Sequence, residues 1–113
     1  MNLSDLCAEL GFKTVIGEIA PDAAFEGVYT GDLLSRAMSH VRAGNLWITI
    51  MVNPNVVAVA SLTEAAAVIL AEGVELLPEA ADAARENGIL ILSSELSAYE
   101  LCTAICEAQK DGV

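Results

Sequence analysis

The apolar residues of this chain recur as short β-rich runs, and a segment with helical spacing follows each run. The runs are "GVYT", "LWITIMV", "AAVIL" and "ILIL". They recur roughly every 20 residues, which is the spacing of successive right-handed βαβ crossovers. Strands that are apolar on both faces lie in sheets that helices cover on both sides. The pattern therefore predicts a small three-layer α/β domain, with a mostly parallel sheet of about four to five strands flanked by helices.

The segment before Gly27 follows a different pattern. A capped start at Asn2 and a stop at Gly11 bound the first predicted helix. Segments 14–19 and 25–29 indicate two short strands, separated by the turn-like sequence "APDAA". We expect these two strands to pair as a small antiparallel addition. The apolar residues at helical spacing in the first helix are Leu3, Leu6, Cys7 and Leu10.

The later helices have start and stop signals at their ends. Asp32 is predicted to cap a helix over 33–41, and Asn53 to cap the helix that follows it. These signals bound the helices that follow the β-rich runs. The further signals are Pro78 at a first-turn position, a capping box of Ser97 with Glu100, and a stop at Asn87–Gly88.

Length and composition indicate one domain across residues 1–113. At 113 residues the chain can bury about two thirds of its unfolded surface in a single core. Apolar residues make up 55% and aromatic residues only 4%, so the core must consist mainly of Ala, Val, Ile and Leu. No linker or block of like charges divides the sequence.

The charge of the chain excludes several classes of partner. Sixteen acidic against five basic residues give a net charge of −11, which repels nucleic acid and anionic membrane surfaces. The N-terminal "MNLSDLCAEL" has neither the basic start nor the long apolar stretch of a signal peptide or anchor. We therefore expect a cytoplasmic protein that binds neither nucleic acid nor membrane.

A polar break, Asn53-Pro54-Asn55, interrupts the apolar stretch "WITIMVNPNVVAVASL". It lies where a predicted strand ends and a helix begins. In open parallel sheets this edge binds ligands, because helix N-termini present free N–H groups there. A helix cap at Asn53 with a first-turn proline explains the same residues, so both interpretations stay open.

Further turns are predicted at the same edge of the sheet, and we expect them to converge with the polar break on one pocket. They are "TGDLLS", "SSELS" and the turn at Glu72–Gly73. Asp32 could accept from a sugar hydroxyl group or cap its helix, and Gly31 would let the backbone approach a ligand closely. The candidate ligand-binding residues are Thr30, Gly31, Asp32, Asn53, Pro54, Asn55, Ser93 and Ser94.

The three cysteines follow neither a metal-knuckle pattern nor a disulfide pattern. Cys102 and Cys106 lie one helical turn apart, so they could ligate a metal together. Because their helix is apolar and has no histidine nearby, we predict buried, reduced thiols without a metal. His40 is predicted late in a helix, where a positive charge favours the helix dipole, and catalysis by His40 is the lesser alternative.

The sequence lacks the motifs of several common enzyme classes. It has no GxxxxGK[ST] loop, no GxGxxG fingerprint, no GxSxG elbow and no HExxH pair. A bound phosphate would have to be held by backbone N–H groups together with Arg36, Arg42 or Arg85. We therefore predict a binding protein that is not an enzyme and has no cofactor.

Three stretches resemble the small stand-alone DRTGG-domain proteins. They are "GVYTGDLLSRAM", "WITIMVNPNVVAVASLTEAAAVILAEG" and "GILILSSELSAYEL", which together span about residues 26–108. Related domains stand beside CBS domains in some inorganic pyrophosphatases, and the non-catalytic N-terminal domain of HPr kinase is similar. The resemblance implies a regulatory domain without kinase activity, because the kinase's P-loop belongs to a different domain.

The chain departs from the signature of that family at two places. "NPN" stands near the Asp-Arg part of the signature, and Ala71-Glu72-Gly73 stands where the family has Thr-Gly-Gly. Stand-alone members often accompany iron-only hydrogenases in anaerobes. The resemblance therefore implies an association with redox enzymes.

Two functions follow as hypotheses. The first is a regulatory module that senses a small ligand, such as a nucleotide, at the predicted edge. The second is a ligand-free assembly protein, which associates with itself or docks on a redox enzyme. The high apolar fraction of so small a domain predicts a homodimer in either case.

Overall fold

The computed structural model describes residues 1–111, which form a five-stranded sheet covered by five helices. The strands are β1 (Lys13–Ile16), β2 (Val28–Thr30), β3 (Leu46–Thr49), β4 (Ala67–Leu70) and β5 (Ile91–Ser93). The helices are α1 (Leu3–Leu10), α2 (Leu34–His40), α3 (Pro54–Thr63), α4 (Pro78–Asn87) and α5 (Ala98–Asp111). This architecture confirms the predicted three-layer α/β domain.

The sheet has the strand order β1-β5-β4-β3-β2. Strands β2 to β5 are parallel, as the sequence pattern predicts, and they follow one another across the sheet. Because every right-handed crossover then moves in the same direction, α2, α3 and α4 all lie on one face. β1 extends the sheet beyond β5 as an antiparallel edge strand, with Lys13 opposite Ser93.

Both faces of the central strands are buried. All four residues of β3 and all four of β4 lie in the core, which is why these strands are continuous apolar runs. Trp47 packs beneath α2, α3 and α4 on one face of the sheet. Leu46 and Ile48 pack on the other face, against α1 and α5. Helices α2 and α4 close the core beside Trp47 with the small residues Ala37, Ala80 and Ala84, whereas α1 and α5 use leucine and isoleucine on the other face.

The predicted pairing between the two N-terminal strands is wrong. Both strands form, but β1 and β2 lie at opposite edges of the sheet. The segment 17–27 connects these edges and packs Ile19 and Phe25 against the core beneath α1 and α5. The N–H group of Leu3 donates to the Ala23 carbonyl at 2.9 Å and fixes the segment to the start of α1. Since the segment carries apolar residues that need burial, it crosses the sheet instead of turning back as a hairpin.

Most of the predicted helix ends are confirmed. Oδ1 of Asn2 accepts from the Asp5 N–H at 2.8 Å at the start of α1. Oδ1 of Asn53 accepts from the Asn55 N–H at 3.0 Å at the start of α3. The other confirmed signals are Gly11, Gly88, Pro78 and the capping box of Ser97 with Glu100.

The predicted helix cap at Asp32 is wrong. α2 begins at Leu34, and its N-cap residue is Leu33, which makes no side-chain hydrogen bond. The Asp32 carboxylate is bonded to the end of β3 instead. A hydroxyl group and a backbone N–H at the end of this buried strand would otherwise lack partners, so they hold the carboxylate in preference to the helix end.

Helix α5 has one buried face, formed by Leu101, Ile105 and Ala108. This spacing places the three side chains on one stripe, which packs against α1. The opposite face is exposed, and Tyr99 there is 77% accessible. Within residues 1–111, no helix combines the length and the apolar character needed to cross a membrane.

Candidate functional site

The parallel strands end along one edge of the sheet, here called the carboxyl edge. β2 ends at Thr30, β3 at Thr49, β4 at Leu70 and β5 at Ser93. The predicted turns after β2, β3 and β5 therefore share this edge. Because the order of these parallel strands does not reverse, the edge lacks the crevice that a reversal creates. A pocket at the carboxyl edge of residues 1–111 must therefore be formed in another way.

The strand order divides the predicted site residues into two groups. Thr30, Gly31 and Asp32 follow β2, whereas Ser93 and Ser94 follow β5. β2 and β5 are three strand positions apart, which is about 14 Å at ordinary strand spacing. Helices α2 and α3 cover one face of the sheet, and α5 covers the other. We expected the three helix N-termini to converge on one pocket. The strand order and the helix positions place them too far apart for this.

Asp32 fastens the loop between β2 and α2 to the end of β3. Its Oδ1 atom accepts from Oγ1 of Thr49 at 2.7 Å and from the Ile50 N–H at 2.9 Å. Thr49 is only 2% exposed, and its hydroxyl oxygen also accepts from the Met51 N–H at 3.2 Å. These bonds give Asp32 a structural part at the carboxyl edge.

Gly31 is enclosed by two aromatic side chains. Nε1 of Trp47 donates to the Gly31 carbonyl at 3.1 Å. A Cβ atom at Gly31 would lie 3.1 Å from the ring of Tyr29, so a larger residue would have to displace that ring. The Tyr29 ring therefore lies against the backbone of Gly31, in the space that a side chain there would need.

Asn53 acts as a helix cap, which is the structural alternative for the polar break. Its backbone is extended, with φ −92°, and its side chain bonds to the N–H of Asn55. Pro54 and Asn55 are exposed at the first turn of α3. Within residues 1–111 the Asn55 side chain makes no hydrogen bond, so it is the member of the break that is free to contact a ligand.

A cleft of about 470 Å³ opens beside Ser93 and Ser94, between β1, β5 and α4. Lys13 from β1 and Arg85 from α4 both line it. Two of the five basic residues of the chain thus share a cleft with two of the predicted site residues. The volume lies in the usual range of small-molecule pockets.

The loops after β4 and β5 form one end of this cleft. Glu72 and Gly73 have φ values of 58° and 67°, which turn the chain back sharply. The N–H of Glu72 donates to the Leu96 carbonyl, and the N–H of Gly73 donates to the Ser94 carbonyl, both at 2.9 Å. Oγ of Ser94 accepts from the Leu96 N–H at 3.1 Å. These bonds tie the two loops into one wall.

Glu95 lies against the backbone of Gly73 at the same end of the cleft. A Cβ atom at Gly73 would collide with the Glu95 carboxylate. Glycine is favoured here by the positive φ, whereas the exposed Glu95 side chain can move away from a larger residue. The carboxylates of Glu75 and Glu95 also line the cleft, so they balance the charges of Lys13 and Arg85 there.

Arg85 is available to a ligand, although it forms an ion pair with Asp82. The distance from its guanidinium nitrogen to Oδ1 of Asp82 is 3.2 Å, and the two side chains are 62% and 74% exposed. An ion pair this exposed contributes little free energy, so a ligand can replace it. Sequence reasoning identified Arg85 as one of three arginines that could hold a phosphate, but it missed Lys13. The antiparallel position of β1 beside β5 has no local signal in the sequence.

The prediction of buried thiols is wrong for Cys106, which is exposed, and Cys102 is half-buried. The buried stripe of α5 runs through Leu101 and Ile105, so each cysteine lies one position beyond it. The thiols of these residues and of Cys7 are free, and burial raises the pKa of Cys7. Among residues 1–111, no three side chains of His, Cys, Asp or Glu are grouped to hold a metal ion.

A comparison with solved structures shows where a similar fold occurs. The chain is similar to the CBS and DRTGG domains of the regulatory region of Clostridium perfringens pyrophosphatase, complexed with its activator, diadenosine tetraphosphate. The TM-score is 0.71 at 13% identity, and the match covers 92% of this chain and 45% of that chain. This chain therefore spans less than half of the solved chain, and the likeness shows a fold that occurs in a regulatory region of an enzyme. No family model matches the sequence, and a comparison with curated proteins found no match.

Proposed function

We propose that this protein is a non-catalytic regulatory module that binds a nucleotide-like ligand in the cleft between β1, β5 and α4. The observation that carries the proposal is that Lys13, Arg85 and Ser93 line one cleft at the carboxyl edge. The net charge of −11 repels anionic ligands in general. In the cleft, Lys13 and Arg85 balance the charges of Glu75 and Glu95, so an anion meets less repulsion there than on the acidic surface as a whole.

The side chains of the cleft suit a ligand that has both phosphate and hydroxyl groups. The guanidinium of Arg85 can bind a phosphate through two parallel N–H bonds, and the ammonium of Lys13 adds a point charge. Within residues 1–111 the Ser93 hydroxyl makes no hydrogen bond, so it can donate to a phosphate oxygen. The carboxylates of Glu75 and Glu95 can accept from sugar hydroxyls or from the amino group of a base.

The similar solved structure supports this class of ligand. The activator of the Clostridium perfringens regulatory region is diadenosine tetraphosphate, which joins two nucleosides through phosphates. The departures at Asn53-Pro54-Asn55 and Ala71-Glu72-Gly73 from the DRTGG signature lead us to propose the ligand class and not the same ligand. An association with hydrogenases or other redox enzymes stays a prediction of the resemblance, and co-purification would test it.

Thermal unfolding with a panel of nucleotides tests the proposal. A ligand at 100 times its dissociation constant stabilises the folded protein by about 2.7 kcal/mol. Lys13→Gln and Arg85→Gln are expected to reduce this stabilisation strongly. Arg36→Gln is the matched control, because it removes the same charge outside the cleft. A stabilisation that survives both cleft substitutions, or none with any nucleotide, would contradict the proposal.

A ligand-free homodimer is the second candidate function, and the outer surface of α3 favours it. The helix Pro54–Thr63 has no charged residue, and its Leu62 is 67% exposed. On the neighbouring helix α2, Met38 is 51% exposed, and Leu33 at its start is 61% exposed. An uncharged surface is where two chains of high negative charge can approach with the least repulsion. Sedimentation at micromolar concentration should then show a dimer that Leu62→Glu dissociates, whereas an 11.8 kDa species alone would contradict it.

A further inference from the structure

The two edges of the sheet differ in their protection against a further strand. β1 has a β-bulge at Val15, between the paired residues Thr14 and Ile16, and it begins with Lys13. Bulges and edge lysines both hinder the pairing of exposed strands. β2 pairs with β3 in regular register along its whole length and has no charged residue. β2 is therefore the unprotected edge.

The backbone of β2 has unpaired groups on its outer side. On the inner side, the Gly31 N–H donates to the Ile48 carbonyl at 3.1 Å. Because alternate residues of a strand bond to opposite sides, Val28 and Thr30 direct their N–H and C=O groups away from β3. Within residues 1–111 no loop makes a backbone hydrogen bond to these two residues. The outer side of β2 can therefore accept another strand.

The helix beside β2 is basic, unlike most of this acidic chain, although the exposed Glu26 precedes the strand by two residues. α2 contains Arg36 and His40 and no acidic residue. The ring of His40 stacks on Tyr29 of β2, with 6.3 Å between ring centroids, so this side of α2 lies next to the strand. Within residues 1–111, Arg36 and Arg42 make no ion pair, although the chain has sixteen acidic residues. The nearby Asp32 carboxylate is bonded to the end of β3.

We propose that the β2 edge binds an extended, acidic segment of a partner protein as a sixth strand. Main-chain hydrogen bonds to Val28 and Thr30 would supply affinity, and flanking side chains would supply selectivity. The unpaired Arg36 and Arg42 select carboxylates. A second copy of this chain suits the edge less well, because β2 pairing between copies would place two basic α2 helices side by side. The edge is remote from the cleft, so this proposal does not depend on the proposed ligand.

A titration of nitrogen-15-labelled protein with a peptide of alternating valine and glutamate tests the proposal. The expected result is that the peptide slows hydrogen exchange of the Val28 and Thr30 amides. Exchange of the Val15 amide should not change. Binding should weaken with salt, because exposed charges are screened. A peptide with glutamine in place of glutamate should bind about tenfold more weakly, since it lacks the charge-assisted hydrogen bonds.

Two substitutions sharpen this experiment. Thr30→Pro removes an outward N–H group but no bond to β3, so it should abolish binding while the protein stays folded. Arg36→Gln should weaken peptide binding, whereas the matched change Arg85→Gln, near the other edge, should leave peptide binding unchanged. If Thr30→Pro does not fold, the comparison of these two arginine variants provides the test.

Several results would overturn the proposal. Equal binding of both peptides, protection at Val15 in place of Thr30, or no protection at millimolar peptide would each do so. Protection at Thr30 that grows with protein concentration in the absence of peptide would assign the edge to a second copy and would overturn it as well.

Discussion

Thr49 and Asp32 join two neighbouring parallel strands at the carboxyl edge, where the buried hydroxyl of Thr49 donates to the Asp32 carboxylate at 2.7 Å. The Ile50 N–H donates to the same carboxylate oxygen at 2.9 Å. One acidic side chain thus provides the partner for two donors at the point where β3 leaves the sheet. The loop that the sequence suggested as a ligand turn is fixed to the end of β3 by these bonds, and its part in ligand binding stays a prediction.

Asp32→Ala is expected to destabilise the protein by about 1–3 kcal/mol, because it leaves the buried Thr49 hydroxyl and the Ile50 N–H without their acceptor. Urea unfolding of the two proteins measures the change. Asp22→Ala is the matched control, since Asp22 is exposed in the segment between β1 and β2. Equal stability of both variants would show that the bridge contributes nothing.

Asn53→Ala is expected to destabilise the protein by about 1 kcal/mol, because α3 loses its side-chain cap. Asn55→Ala should leave stability almost unchanged, since its exposed side chain makes no hydrogen bond within residues 1–111. Urea unfolding compares the two variants. If a ligand binds at the polar break, Asn55→Ala should weaken its binding without lowering the stability of the protein. Equal destabilisation by both substitutions would contradict the role of Asn53 as the cap.

The sequence was sufficient to predict the elements that repeat, and insufficient for those that depend on distant partners. Apolar runs at regular spacing predicted β2 to β5 and a mostly parallel sheet, because each crossover is local. The partner of β1 could not be predicted, because its pairing with β5 joins segments far apart in the chain. For the same reason, the sequence did not predict that Lys13, which belongs to β1, lies near Ser93. Asp32 was mistaken for a cap, because its donors belong to another strand.

Gly73→Ala and Gly88→Ala are expected to destabilise the protein by similar amounts, because both glycines have positive φ, at 67° and 64°, and each substitution has a backbone cost of about 1–2 kcal/mol. A methyl group at Gly73 would meet only the end of the exposed, flexible Glu95 side chain, which can move aside, and Gly88 has open space. Thermal unfolding compares the two variants. A much larger loss at Gly73, which Glu95→Ala then removes, would contradict this expectation.

The capping box at the start of α5 should make its stability depend on pH. The N–H of Ser97 donates to Oε1 of Glu100 at 3.0 Å, and this bond and the Ser97 hydroxyl lower the pKa of Glu100 from 4.5. Because the folded-state pKa is the lower one, the stabilisation is present above the unfolded-state pKa and is lost as the pH falls through the folded-state value. NMR titration of the Glu100 carboxyl measures the shift. Ser97→Ala should return the pKa toward 4.5, and a wild-type value already at 4.5 would refute the box.

The three thiols are expected to react with a maleimide in the order Cys106, Cys102, Cys7. Cys106 is exposed and Cys102 is half-buried, whereas Cys7 is buried and burial raises its pKa, so its reactive thiolate is scarce. Peptide mass spectrometry follows each site with time. The double variant Cys102→Ala, Cys106→Ala should keep the native fold. Its metal content should equal that of the native protein. Stoichiometric iron or zinc that this double substitution removes would overturn the prediction of metal-free thiols.

The antiparallel pairing of β1 with β5 has a consequence for the order in which the protein is made. β1 can pair only after β5 has been synthesised, and α1 likewise packs on α5. The parallel unit from β2 to β4 can form earlier, because its contacts are local in sequence. During synthesis, α1 can pack on β3 and β4, but its apolar side chains stay partly exposed until α5 has been made and covers them.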